Sequence, residues 1–185
     1  MIRRRADVTP EFCRRLDKVC HDVREHYGAT AASIAVIHEG VFNHLSAVGT
    51  SLLEDFPAIE TPALAADMAR DLPTIIGDLR EDSRFSECQF VVGPPYSRFY
   101  AAQPVKDASG KRFAVLAFAR NVPDFGFKLG DAAFLSESGQ LIEAHLVGNL
   151  SLVKQPMSQV VDDGQGLQLY QNRQATAGGS TVNSD

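Results

Sequence analysis

The chain has 185 residues, 44% apolar and 22% charged, with a formal charge of −5, the proportions of a single domain with a sizeable core. That charge argues against nucleic acid as a partner, since phosphate binding needs a concentrated basic surface, and no apolar run approaches the ~18 residues of a membrane span. The start lacks the apolar core of a secretory signal and Cys13, Cys20 and Cys88 form no close pairs, so a cytoplasmic protein without a disulfide framework is expected.

Residues 1–8, with Arg3-Arg4-Arg5, read as a flexible, solvated start. Thr9-Pro10-Glu11 is a helix opening: a hydroxyl cap, a proline at the first helical position and an acid near the positive end of the dipole. Phe12, Leu16, Val19, Cys20, Val23 and Tyr27 follow at helical spacing, and Gly28 ends the element. Ala31 to His38 and Val41 to Val48 are strands joined by a tight turn at Glu39-Gly40. Neither alternates cleanly, so both sheet faces are expected to be covered at least in part.

Thr61-Pro62 repeats the cap-and-proline signal before a short helix, Ala63 to Arg70. Thr74 to Gly77 is a short strand, and Asp78 to Pro95 a long loop of little regular pattern, which calls for a functional or packing role. Ser97 to Val105 and Arg112 to Ala119 are strands joined by the turn Asp107-Ala108-Ser109-Gly110. A C-terminal helix runs from about Gly130 to Val153, weakened at Gly139 by about 1 kcal/mol relative to alanine. Residues 154–185, rich in Gln, Gly, Ser, Thr and Asn, read as disordered, which leaves residues 9–153 as the folded domain.

The stretch Leu72 to Phe118 carries the most specific pattern. Gly77-Asp78-Leu79, Arg84-Phe85, Val91-Val92-Gly93-Pro94-Pro95, Arg98-Phe99-Tyr100-Ala101-Ala102, Pro104, a glycine-containing turn and an apolar run follow one another. This order resembles the GAF family of small-molecule sensor domains over residues 28 to 147. The resemblance implies an α/β (α+β) fold, with a central, mainly antiparallel sheet of five to six strands flanked by N- and C-terminal helices. GAF domains take cyclic nucleotides, bilins, haem, amino acids or oxo-acids, so the likeness names no cofactor. The Asn-Lys-x-Asp-Glu string of the cyclic-nucleotide phosphodiesterase members is missing, and the bilin-attachment cysteine has no clear counterpart. Where many members read Leu-Cys-Val-x-Asp, this chain reads Leu116-Ala117-Phe118-Ala119-Arg120, and Phe118 is large enough to fill a pocket.

Strand parity sets Arg98 and Tyr100 on one face and Phe99 and Ala101 on the other. Arg98 is expected to pair with Asp78 or Asp82 and pin the loop, with Phe85 anchoring that loop to the core. The candidate ligand-binding residues are Phe42, His44, Met68, Ile75, Phe90, Tyr96, Phe99, Tyr100 and Phe118, of which parity allows only some to share a pocket. Cys88, near Arg84, is the one candidate reactive thiol. Cys13 and Cys20 stand two turns apart on one helix, roughly 10 Å, too far to bridge, and read as small core residues. His38 and His44 are offset by three residues from symmetric pairing, and no His or Cys spacing suits a metal.

Three functions follow. The first is a non-enzymatic sensory domain, free-standing or part of a larger signalling protein, that binds a small molecule and transmits through its terminal helices. In it a homodimer would form through Phe134, Leu141 and Leu146. The second is a ligand-free dimerisation or scaffold module. The third is a GAF-type free methionine sulfoxide reductase, which would need Cys88 and a resolving thiol.

Overall fold

Helix α1, Pro10–His26, opens the described part of the chain. The computed structural model describes residues 10–38, 41–49, 72–107 and 109–146, without the side chains of residues 37–38, 41–43 and 145–146. The Glu39-Gly40 turn, the Ala63–Arg70 helix, both chain ends and the C-terminal helix beyond Leu146 lie outside these residues.

In α1 the predicted stripe is buried, joined by Cys13. The wet face carries the pairs Glu11–Arg15 and Lys18–Asp22 at i,i+4, each worth about 0.3–0.5 kcal/mol. The helix stops as the sequence predicts. Gly28 takes φ +56°, its N–H donates to Glu25 O and that of Ala29 to Arg24 O, the paired bonds of a Schellman end.

Strands β1 (Ala31–His38), β2 (Val41–Gly49), β3 (Thr74–Ile76), β4 (Phe99–Lys106) and β5 (Arg112–Arg120) form one sheet in the order β2-β1-β5-β4-β3. Every pairing is antiparallel. Between β3 and β4 the chain makes turns and a short helix α2, Gln89–Val92, where the sequence shows no regular pattern. A 3₁₀ turn, Leu129–Ala132, leads into α3, Ala133–Leu146.

Both long helices lie on one face. Even-numbered residues of β1 and β5 (Ala32, Ile34, Val36; Ala114, Leu116, Phe118) and odd-numbered residues of β4 (Phe99, Ala101, Val105) form a single core with the α1 stripe, Leu135 and Ile142. Its centre is aromatic: the Tyr27 ring stacks on Phe118 at 4.3 Å and 6°, with Phe99 and Phe127 around them. Arg120 sits over Phe99, Phe118 and Phe127 at 5.0, 5.6 and 5.8 Å. It also pairs with Asp124 at 2.8 Å, so Arg120, where the sequence departs from the GAF pattern, fastens the connector to the sheet.

Gly139 has a use that the sequence hides. A Cβ there would stand 2.9 Å from Gln103 Cγ, so the missing side chain lets α3 sit directly on β4. Ser136 Oγ donates to Gln103 Oε1 at 2.9 Å beside it. Alanine is the better helix former by about 1 kcal/mol, whereas overpacking costs about 1–3 kcal/mol. Gly139→Ala is therefore expected to lower the thermal midpoint, and adding Gln103→Ala to reverse much of that loss. Equal or greater stability of the single variant would mean that the contact relaxes freely.

Candidate functional site

The loop from Gly77 to Arg98 is held by an ion pair that the sequence anticipates. Arg98 Nε donates to Asp78 Oδ1 at 2.8 Å and Arg98 Nη2 to Asp78 Oδ2. The Asp78 side chain is 3% exposed and that of Arg98 26%. Asp78 Oδ1 also accepts the Arg80 N–H, and Leu79 N–H donates to Arg98 O. The Arg98 hydrogen bond holds the Asp78 carboxyl below its ordinary pKa, against the opposing effect of burial. Asp82 is matched in the same way with Arg84, at 2.7 Å. Phe85 is fully buried with Ile76, Leu79 and Val91 in a cluster of its own, with Cys88, Phe90 and Tyr100 at its edge. It anchors the loop as the sequence implies.

The sheet face away from α1 and α3 is built of small side chains. Cross-strand pairing aligns Ala47, Ser33, Ala117, Ala102 and Thr74 in one row spanning all five strands. Beside it run Ala31, Ala119, Tyr100 and Ile76 on one flank and His44, Ala35, Val115 and Pro104 on the other. Ala35, Ala102, Val115 and Ala117 are buried against one another with Tyr100 at their margin, and Ser33 is 6% exposed. A flat, uncharged floor results, walled by Tyr100 at one corner and His44 at the opposite one.

Two polar groups serve this floor. His44 reaches it because a register shift between Ile34 and Ala35 pairs Ala35 with His44 and Ile34 with Ser46. Leu45, the extra residue, turns to the helix side. His44 Nδ1 is buried and has no hydrogen-bond partner among the described residues, and burial pushes the imidazole below its ordinary pKa, favouring the neutral ring. The Ser33 hydroxyl faces the same way.

The nine candidate ligand residues do not come together. Tyr100 and His44 belong to the floor, and Phe90 lies by Tyr100 in the loop cluster. Phe99, Phe118 and Ile75 face the helices, so Phe118, stacked on Tyr27, fills no space on the floor side. Tyr96 is half exposed at φ 61°. Phe42 pairs with Ile37 in the β ladder, but its side chain, like Met68, lies outside the described residues. Sequence reasoning passed over Ser33, Ala35, Ala102 and Ala117. Their signal was small residues at alternate positions, Ala31-Ser33-Ala35 and Ala117-Ala119, between the large Ile34, Val36, Leu116 and Phe118.

The cysteines divide between the two sides. Cys13 and Cys20 are buried in α1 under the helix face, and burial pushes the Cys20 thiol up to about 12. Cys88 borders the loop cluster with its Sγ 3.9 Å from Arg84 O. Among the described residues no group of three or more His, Cys, Asp or Glu could hold a metal, and no helix is long and apolar enough to cross a membrane. An open cleft of about 470 Å³ lies beside β3, lined by Ile75, Gly77, Asp78, Glu81, Asp82 and Phe125 among others. Its two aspartates are the ones already committed to Arg98 and Arg84.

No protein-family model and no curated protein matches the chain. Solved structures do. A GAF domain from a phosphoenolpyruvate-protein phosphotransferase of Coxiella burnetii superposes with a TM-score of 0.64 at 12% identity, over 80% of this chain and 89% of that one. The free methionine-R-sulfoxide reductase of Neisseria meningitidis, solved with its substrate, gives 0.61 at 15%, over 80% and 84%. A GAF domain of Synechocystis, solved in its photoproduct state, gives 0.61 at 10%, over 77% and 97%. The chain has the GAF-like fold, and an enzyme and GAF domains of other kinds share it.

Asp78→Asn is expected to destabilise the protein at neutral pH. Because the folded-state pKa is depressed, the contribution is full above the ordinary carboxylate value, about 3.9, and is lost as pH falls below it. Urea midpoints of wild type and variant should differ at pH 7 and converge only as pH falls through the depressed folded-state pKa. Equal midpoints at pH 7 would show that the ion pair does not hold the loop.

Proposed function

We propose that the protein is a non-enzymatic sensory domain that binds a small molecule on the sheet face opposite α1 and α3. The observation that carries this reading is the buried Nδ1 of His44, without a partner among the described residues, beside a floor of small residues. Buried polar atoms are almost always satisfied, and small-molecule sites are largely apolar with a few placed polar groups. Occupancy would act on α3 through β4, which contributes Ala102 to the floor and Gln103 to the helix contact. That is an effect through differential affinity for two arrangements.

The cysteines favour this reading over thiol chemistry. Reduction of a sulfoxide by Cys88 would leave an oxidised sulfur that needs a second thiol to resolve it. Cys13 and Cys20 are both buried on the other side of the sheet.

The first test is a thermal-shift screen against cyclic nucleotides, amino acids, oxo-acids, haem and tetrapyrroles, paired with an assay of free methionine sulfoxide reduction. A ligand at a hundred times its Kd adds about 2.7 kcal/mol, about 5–10 °C for a domain of this size. The sensor reading expects such a shift, abolished by His44→Ala, and no reductase activity. Turnover lost in Cys88→Ser would replace it with the enzyme.

Self-association through α3 belongs to the same reading. Leu141 is 55% exposed on α3, whereas Phe134 is half-buried and stacks on His26 at 4.1 Å. Leu141→Lys is expected to convert a dimer to a monomer in sedimentation without lowering the thermal midpoint of the monomer. A wild-type monomer at high concentration would remove the dimer from the proposal.

A further inference from the structure

Resting on that reading, the geometry points to the class of ligand: a planar, electrically neutral heteroaromatic molecule lying flat on the floor. Its ring N–H and carbonyl or ring-nitrogen groups would meet the Ser33 hydroxyl and the His44 imidazole.

Shape comes first. The central row Ala47, Ser33, Ala117, Ala102, Thr74 holds nothing larger than threonine, and Ala31, Ala119 and Ala35 extend it on both flanks. Methyl groups at regular strand spacing make a level surface, which suits the face of a ring system better than a branched or extended chain. From strand spacing and rise, Ser33 stands about 8 Å from His44 and about 12 Å from Tyr100 between Cα atoms. A body of two or three fused rings spans that floor with one polar edge toward Ser33 and His44.

Charge comes second. None of the floor or flank residues from the five strands is ionic, and burial favours neutral His44. By strand parity Arg98 and Lys106 also lie toward this face, beyond its two ends, and Arg98 is neutralised by a bidentate bond to Asp78. An anion laid on the middle of this floor would give up its hydration with no cation among the floor and flank residues to meet it, and burying an unpaired charge is costly. A neutral ring loses little, and its polar edge gains hydrogen bonds.

Hydrogen bonding comes third. Ser33 is buried, and the buried His44 Nδ1 has no partner among the described residues. A hydroxyl both donates and accepts, and the neutral imidazole offers one donor and one acceptor nitrogen. Together they suit an edge that alternates donor and acceptor, as lactam and amidine edges of heterocycles do.

Titration calorimetry would compare neutral probes (lumichrome, adenine, hypoxanthine) with anionic relatives (riboflavin 5′-phosphate, cyclic AMP). At least one neutral probe is expected to bind about tenfold or more tighter than its anionic relative. Ser33→Ala should weaken it by about threefold to tenfold, the value of one hydrogen bond. Ala117→Leu, which raises the floor, should abolish it, and the milder Ala117→Val should weaken it if the leucine variant does not fold. Equal or tighter binding of the anionic relatives, reduced by Ala117→Val, would overturn the neutral class and leave the sensory site standing. No binding by any probe, with Ala117→Val raising the thermal midpoint, would show a floor closed by the protein's own packing and overturn both.

Discussion

Tyr27 joins the parts of this fold that are far apart in sequence. Its ring stacks on Phe118 of β5, its hydroxyl donates to Asp131 O at 3.0 Å and accepts the Leu135 N–H at 2.9 Å. One side chain thus ties the end of α1, the middle of the sheet and the start of α3. The Leu135 N–H is among the first donors of a helix, which have no partner within it, so the phenol also serves as a cap. Burial holds that phenol above its ordinary pKa, and it stays protonated and able to donate.

Because both long helices are committed to one face, the other face is free to be specialised. The two faces use the same strands with opposite size rules: Ile34, Val36, Leu116 and Phe118 inward to the helices, Ser33, Ala35, Val115 and Ala117 outward. Large side chains on the helix side supply the apolar area that holds the domain together. The small ones opposite contribute little of it, a cost tolerable only because the aromatic core is so full. The register shift at Ile34/Ala35 belongs to this division, since it sends Leu45 and Ser46 to the helix side and His44 to the other.

Much of the fold was legible because it rests on local chemistry. The Pro10 start, the Gly28 stop and the α1 stripe follow from capping and periodicity, and the strand bounds of β1, β4 and β5 follow from apolar runs between turns. That Arg98 would pair with Asp78 or Asp82 was legible too, because both acids stand on the adjoining loop, and the fold selects Asp78 by giving Asp82 to Arg84. The site was less so. Phe99, Phe118 and Tyr100 are neighbours in composition, and their sorting to opposite faces depends on registers between strands far apart in sequence. Large aromatics draw attention in a sequence, whereas here the floor is made by Ala and Ser, whose meaning comes from the size rule they follow along one face of the sheet. His44 needed the bulge, which no local rule signals.

The direct seating of α3 on β4 has a mechanical meaning. Where Gly139 meets the stem of Gln103, an added Cβ would stand 2.9 Å from Gln103 Cγ, so the joint leaves no room for a side chain and little for compression. The Ser136–Gln103 hydrogen bond beside it resists separation. A joint that is stiff in both directions has little play, and a small bowing of β4 would be delivered to the helix almost undiminished.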